Sequence, residues 1–476
     1  MKTTKKLLGL IIVILLVFTL NACEAQDTAQ DVSPTQPQEP DTTTTEDPPD
    51  ETSETPPEAP PEQENVTVLF WDMVGGSELY PVAAAEHAAL IGADYPHITI
   101  DYQSIPWADR HATFVTAITA GIGPDFSNGG GYQSFQFYAM GEILDITPVI
   151  DRFDELGILQ YYDAGLIEYF RVGNSQVGFP IGVDPRFMIY RQDWFEEAGI
   201  PTPQTWEDIY NAAVYFTNPD EGTFGLVYPT EGADGNVLFF MWFGMNGTGI
   251  WTADGVAPDW TNPANVEIVE FIRRLNNAGA LPPGMSAYNF AEVIQMATHD
   301  NAAMAILTSG GNSAAIANSH YGQFALLPTP AGPSANGNNA AVASMNAFMA
   351  YSQTDHPQAT MDALGWWVRN FNVLRNDPDL GLGVVPPRSD WLEDPDLLAS
   401  TADLFLRDYI AGGFVPSTHI LIYPAATIDC WLTQNVIDSE RWWSRLSQAI
   451  LTTDTPALEL LQQFQAEAEE VMESFR

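Results

Sequence analysis

The stretch NVTVLFWDMVGGSE, residues 65–78, decides how the chain is read. Val66-Thr67-Val68-Leu69-Phe70-Trp71 is β-branched and aromatic and reads as a strand. It ends in an aromatic, an acid and two glycines. A strand running into Gly75-Gly76 can cradle a phosphate, whereas Trp71 beside Asp72 suits a neutral, hydroxylated partner.

Outward from this strand, two periodicities alternate. PVAAAEHAALIGADYP is helical, ITIDYQSIP is a second strand, and WADRHATFVTAITAG is a helix closing on Gly121. GPDFSNGGG follows a third strand-to-loop passage, and FYAMGEILDITPVID reads as helix. This βαβαβ order predicts an α/β fold with a mostly parallel sheet and helices on both faces. The pattern restarts after VGFPIGVDPRFMIYRQDWFEEAGI, where Thr205 and Asp208 of TWED form a capping-box helix start. The C-terminal part is helix-rich. At 476 residues the chain exceeds one ordinary core, so two domains are expected.

Upstream lies a different kind of sequence. Residues 24–64 hold thirteen acids with abundant Pro and Thr and almost nothing apolar, the composition of a disordered, self-repelling tether or a glycosylated stalk. Before it, MKTTKK precedes the apolar run LLGLIIVILLVFTL. Those fourteen residues span roughly 21 Å as a helix, short of a bilayer core. Leu20-Asn21-Ala22-Cys23 resembles the lipobox of bacterial lipoproteins, in which the cysteine is acylated and becomes the first residue. The resemblance implies a signal peptide over residues 1–22 and lipidation at Cys23, which places the protein on the outer face of the cytoplasmic membrane. Cys430, the other cysteine, is then expected to be a small buried apolar residue.

All three lysines lie in the first six residues, so the mature chain sets 14 Arg against 62 Asp and Glu. Such a surface repels nucleic acid, phosphorylated ligands and anionic membranes. It suits a salt-rich or acidic medium, or else reflects a compositional bias of the lineage. With no lysine to neutralise a phosphate, the neutral option at Trp71-Asp72 gains.

Enzyme signatures are missing. A Walker loop needs Gly-Lys, and there is no G-x-S-x-G, no H-E-x-x-H and no paired C-x-x-C. The seven His show no metal-ligand spacing, so neither metal nor cofactor is expected. What recurs is aromatic residues beside amides, glycines and single acids at strand-to-loop junctions: Trp71-Asp72, Trp107, residues 128–132, Asp184-x-Arg186 and residues 242–246. Sugars present apolar C–H faces and a belt of hydroxyls, and are held by flat rings and planar amide or carboxylate groups. Core packing is the expected role for most of the 13 tryptophans, and Trp366-Trp367 is expected to be core in at least one residue.

Across residues 65–475 the chain resembles the extracellular solute-binding proteins (family 1) of ABC importers, the sugar-binding lipoproteins related to maltose-binding protein. The resemblance rests on VTVLFWDMVGG, YPHITIDYQSIPW, TAITAGIGPDFSNGG, GEILDITPVID, VGFPIGVDPRFMIYRQDWFEEAGIPTPQTWEDI, AAMAILTSGGN and GVVPPR, in that order. It implies a two-lobe periplasmic-binding-protein-like fold with a hinge and an interlobe cleft, the chain crossing between lobes more than once. Residues 65–180 and 304–345 would form the first lobe, and 181–303 and 346–476 the second. Crossings are expected near 178–184, 303–311 and 344–346. Family cleft positions map onto Trp71, Asp72, Asn128, Gly129, Asp184 and, further on, Trp242, Asn246, Ser309 and Asn312. Arg186 stands where relatives carry small or apolar residues, and is expected to pair with Asp184 rather than meet the ligand. Where relatives have an aromatic after the turn, this chain has Gly310-Gly311-Asn312, so Tyr288 or Trp251 would supply that ring.

The function implied is a lipid-anchored, monomeric, non-enzymatic binding protein. It would capture a neutral carbohydrate, an oligosaccharide by expectation, for ABC transporter permease subunits. The rivals are a binder of cationic or peptide solutes, for which Asp72 and Asp184 supply counter-charge, and a secreted carbohydrate-active enzyme with two cleft carboxylates.

Overall fold

The computed structural model describes residues 64–476 except 74–76, 108–109, 338–341, 376, 378, 381–382, 395–400, 402 and 413–425; the side chains of 232–238, 311–312 and 342 also lie outside it. The expected signal peptide, tether and lipidation site at Cys23, the Gly75-Gly76 pair and the Asn312 side chain therefore fall outside the described residues.

Three parallel strands open the fold: β1 (Val66–Met73), β2 (Ile98–Ile105) and β3 (Phe126–Gly130). They alternate with the helices α1 (Tyr80–Ala88), α2 (Arg110–Thr119) and α3 (Gly131–Ala139). The GPDF motif locks β1 to β3, because Asp125 returns both a backbone N–H to Leu69 O and a carboxylate oxygen to Leu69 N–H at 2.7 Å. Behind them Phe70 stacks on Phe126 at 4.2 Å and meets the edge of Trp367 at 4.7 Å. Burying each such ring contributes about 2–3 kcal/mol. Trp366 and Trp367 are both buried, as is Cys430. The segment FYAMGEILDITPVID is not one helix. It stops at Ala139, turns at Gly141 (φ +83°) and restarts over Thr147–Glu155, because Leu144 N–H is drawn into a bond with Ala350 O.

After a two-residue ribbon, β4 (Arg171–Val172) with β5 (Ser175–Gln176), comes the long strand β6 (Phe179–Arg191). The remaining strands are β7 (Phe224–Val227), β8 (Ala302–Thr308), β9 (Phe324–Leu327) and β10 (Val342–Ala350). The sheet order is β2-β1-β3-β10-β6-β8-β7, with β9 added beside β6. The apolar runs FPIGVDPRFMIYR and AAMAILT suit strands covered on both faces. The capping box expected at Thr205 is present: Thr205 Oγ1 accepts from Asp208 N–H, and Asp208 Oδ2 accepts from Thr205 N–H at 3.0 Å.

Two large apolar cores lie along this sheet. One gathers Val68 to Ile181 with Phe348 to Leu380; the other gathers Val183 to Ala343 with Val385 to Met472. The chain passes between them within β6, at Ile181–Val183. It returns within β10, between Ala343 and Phe348, and crosses again between Leu380 and Val385. This corrects the expected boundaries. Residues 304–343 stay with the second core because β8 pairs with β7 and with the far half of β6, and residues 348–380 join the first because β10 runs on beside β3.

Candidate functional site

Strand register builds the site. β1, β2 and β3 run the same way as β6, and β3 ends at Gly130, level with Asn346 of β10 and Gly182 of β6. β7 and β8 run the opposite way, and β8 ends at Thr308, level with Arg186. The carboxyl ends of both strand sets therefore face each other across Gly182–Arg186, a gap of roughly 13 Å at 3.3 Å per residue. In open α/β sheets such facing ends are where ligands bind.

Asp184 sits midway across this seam. Its carboxylate pairs with Arg186 Nη1 at 2.8 Å and accepts from Ser309 Oγ at 2.7 Å. Arg186 Nη2 donates to Ser344 Oγ of β10 at 2.9 Å, and Ser309 Oγ is also 2.5 Å from Gly383 O. One ion pair thus joins all three crossing segments, and the expected Asp184–Arg186 pairing is present. Gly310 and Gly383 meet backbone to backbone; a Cβ on Gly383 would lie 1.9 Å from Gly310 Cα, so only glycine fits.

The first wall is partly what the sequence predicts. Trp71 is half-buried, its ring edge-on to Phe114 at 5.2 Å and its Nε1 donating to Gln103 at 3.2 Å. Asp72, expected as an acceptor for ligand hydroxyls, is instead fully buried, with Tyr80, Tyr102 and Asn128 donating to it. Burial pushes its carboxyl up to about 7, while the two tyrosine hydroxyls pull the other way. Asn128 is spent likewise, its Oδ1 accepting from Met73 N–H at 2.6 Å. Gly129 is buried in β3, and a Cβ there would stand 2.8 Å from Gln133 Oε1.

On the second side, Trp242 is core, not a ligand platform. It is fully buried in the helix Gly232–Asn246 against Trp206, Tyr228 and Phe271. Asn246 is also internal: its Nδ2 donates to Ala264 O and Glu267, and its Oδ1 accepts from Ser334 N–H. Trp251 is buried, its Nε1 donating to Gln434 at 3.2 Å, while Tyr288 is half-buried with its carbonyl accepting from Thr230 and Glu231 N–H beyond β7.

The helix Ile428–Ser439 also reaches the first side. It packs in the second core through Cys430 and Ile437, yet Trp431 stacks on Phe135 of α3 at 4.7 Å with the rings 10° apart. Gln136 Nε2 donates to Asp438 Oδ2 at 2.9 Å. Beside them Arg110 Nη2 donates to Tyr132 Oη at 2.7 Å, and its guanidinium lies 5.3 Å from the Trp107 ring. Sequence reading singled out Trp107 and Tyr132 but missed this helix. Its signal was the spacing of Trp431, Gln434, Asn435 and Asp438, one face of a helix at i, i+3, i+4 and i+7. Two amide atoms at this contact, Gln136 Oε1 and Asn435 Oδ1, are buried and have no hydrogen-bond partner among the described residues. A surface pocket of about 320 Å³ between the helices Thr147–Glu155 and Pro357–Asn370, lined by Tyr95, Phe153, Trp366 and Arg369, contains none of these residues.

The chain resembles a sugar transporter from Arthrobacter chlorophenolicus solved with bound laminaribiose, at 26% identity and TM-score 0.74, covering 85% of this chain and 99% of that one. It has the fold of a maltose-bound MalE3 from T. maritima, at 19% identity and TM-score 0.68, with 85% and 99% covered. Among curated sequences it is 24% identical to a Sinorhizobium fredii chain named "Probable amino-acid ABC transporter periplasmic-binding protein", over 44% of this chain. That alignment spans only half the length of the relative. A Brucella abortus binding protein matches at 24% identity over 65% of this chain and 75% of its own. These likenesses give the two-lobed fold of periplasmic sugar-binding proteins. The pattern of bacterial extracellular solute-binding proteins matches residues 71–370, and the chain belongs to that family.

Proposed function

We propose that this protein captures a neutral carbohydrate, an oligosaccharide, in the seam between its lobes and delivers it to an ABC permease, tethered to the membrane through a lipid on Cys23. The observation that carries the reading is the contact between α3 and the helix Ile428–Ser439. Stacked aromatic rings there lie beside two amide acceptors, Gln136 Oε1 and Asn435 Oδ1, that no described residue matches. Leaving a buried polar atom unpaired costs about 1–3 kcal/mol, and a sugar hydroxyl donates to such an acceptor. The half-buried ring of Trp71 and the rings of Trp107 and Tyr132 add apolar faces on the first lobe. Asp184, Arg186 and Ser309 supply the floor, their charge already matched. The laminaribiose and maltose bound in similar structures support the same solute class. The roles first expected of Asp72, Asn128 and Asn246 become structural ones.

A second reading, an amino acid or other cationic solute, draws on the name of the Sinorhizobium relative and on the acidic composition. Thermal unfolding across a panel of neutral disaccharides, amino acids and polyamines separates the two, since a solute that binds only the folded state raises the midpoint with concentration. A rise with a neutral sugar is expected. A rise with a polyamine or amino acid and none with any sugar overturns the reading, and product in the sugar wells reveals an enzyme.

A further inference from the structure

The contact that carries the carbohydrate reading is shut. Trp431 and Phe135 lie face to face at 4.7 Å with 10° between their planes, so each ring covers the other. A sugar between two aromatic faces needs a van der Waals gap on either side, about 7 Å in all. Phe135 is also held within the first lobe, edge-on to Tyr169 at 5.5 Å and stacked on Phe170 at 5.9 Å. Room for a solute therefore comes from moving the helix Ile428–Ser439, not from turning the Phe135 ring. Gln136 Oε1 and Asn435 Oδ1 are out of reach of solvent as well as unmatched among the described residues.

Three ties hold this arrangement. Beside the ring stack, Gln136 Nε2 donates to Asp438 Oδ2 at 2.9 Å, and Asn435 Nδ2 donates to Gln136 O at 3.4 Å. Phe135 and Gln136 belong to α3, directly after β3, whereas Cys430 and Ile437 anchor the partner helix in the second core. All three ties cross the seam, and none of them uses solute. The shut form keeps two unpaired acceptors, so a solute that donates to them gains what the empty contact lacks.

We propose that this contact is an autoinhibitory strap: the empty lobes close on each other through Trp431, Gln136 and Asp438, and solute binds only after the strap parts. The strap deepens the carbohydrate reading above and rests on it for the identity of the solute. It lowers apparent affinity by the fraction of molecules in which it stands open. Asp438 holds the strap without being one of the groups offered to solute, so removing it separates the two roles.

Two measurements on the full chain test this. Fluorine NMR of protein labelled with fluorotryptophan follows Trp431, its signal identified by its absence in Trp431→Phe. The shift of that signal between light and heavy water reports solvent at the ring. It is expected to be small in wild type and at least to double in solute-free Asp438→Ala. An unchanged solvent shift in the variant overturns the proposal, and so does laminaribiose that binds wild type without moving the Trp431 signal. Calorimetric titration is expected to show laminaribiose binding about tenfold tighter to Asp438→Ala, the equivalent of one lost hydrogen bond to a carboxylate. Equal or weaker binding by the variant overturns the strap. If no sugar binds either protein, the carbohydrate reading falls and the solute-free comparison alone decides the strap. Asp438 Oδ1 also accepts from Gln434 and Trp443 of its own lobe. Should Asp438→Ala not fold, Gln136→Ala removes the same bond from the first side and gives the same solute-free comparison.

Discussion

Asp72 at the end of β1 and Asp184 midway along β6 are both flanked by hydroxyl donors, yet only Asp184 has a guanidinium beside it. In the first region four elements share a carboxylate through neutral groups alone. In the second, three crossing segments share an ion pair. Arginine is the only strong cation after residue 6, and an acid buried without one keeps its proton far into the neutral range. An acid built into a paired crossing instead becomes part of the frame. The same side chain is pushed up to about 7 by burial beside one core and is matched by an arginine where the chain passes between the cores.

Breaking the paired site should have the largest effect. Arg186→Ala leaves Asp184 and Ser344 without their partner, and is expected to lower unfolding free energy by about 3–5 kcal/mol in denaturant titration. A loss below 1 kcal/mol would erase the distinction between the two acids. Next comes Asp72→Asn. The folded pKa of Asp72 is raised from 3.8 to about 7, so its contribution to stability is fully present below pH 3.8 and is lost as pH rises through 7. Wild type should therefore lose on the order of 4 kcal/mol relative to the variant between pH 4 and pH 8. Parallel stability curves would return Asp72 to an ordinary acid. Tyr102→Phe sharpens the contrast: it costs about 1 kcal/mol and moves the Asp72 midpoint further up, since that hydroxyl stabilises the carboxylate. The smallest effect is expected from Ser309→Ala, about 0.5–1 kcal/mol by urea unfolding with no change in pH dependence, because Arg186 still holds Asp184.

Much of the fold was legible because it is written locally. Strand and helix periods gave the βαβ order, Thr205 and Asp208 their capping box, and the GPDF stretch a strand end that proves to be tied by Asp125. The Asp184–Arg186 pair was readable because the partners are two residues apart on one face of a strand. Long-range pairing was not readable. That β10 and not β8 lies beside β3 depends on which edge accepts it, so two lobe boundaries were misplaced. Asp72 looked like a ligand acceptor because its donors lie 8, 30 and 56 residues away. Trp242 looked like a platform because residue type alone does not show which side of an apolar helix is covered. The helix Ile428–Ser439 was missed although its spacing was visible, since nothing near it in sequence announces a strand end.

The position of β10 has a consequence for how the chain comes into being. Among the described residues it is the last strand in sequence, yet it lies in the middle of the sheet, between β3 and β6. A growing chain can therefore form β1, β2 and β3 early but cannot close the sheet of either lobe until residue 350 has been made, and it pays the entropy of pairing across more than two hundred residues when it does. Late completion of this kind keeps a nascent polypeptide open for most of its synthesis, which is the state a protein must be in to be threaded out of the cell that makes it.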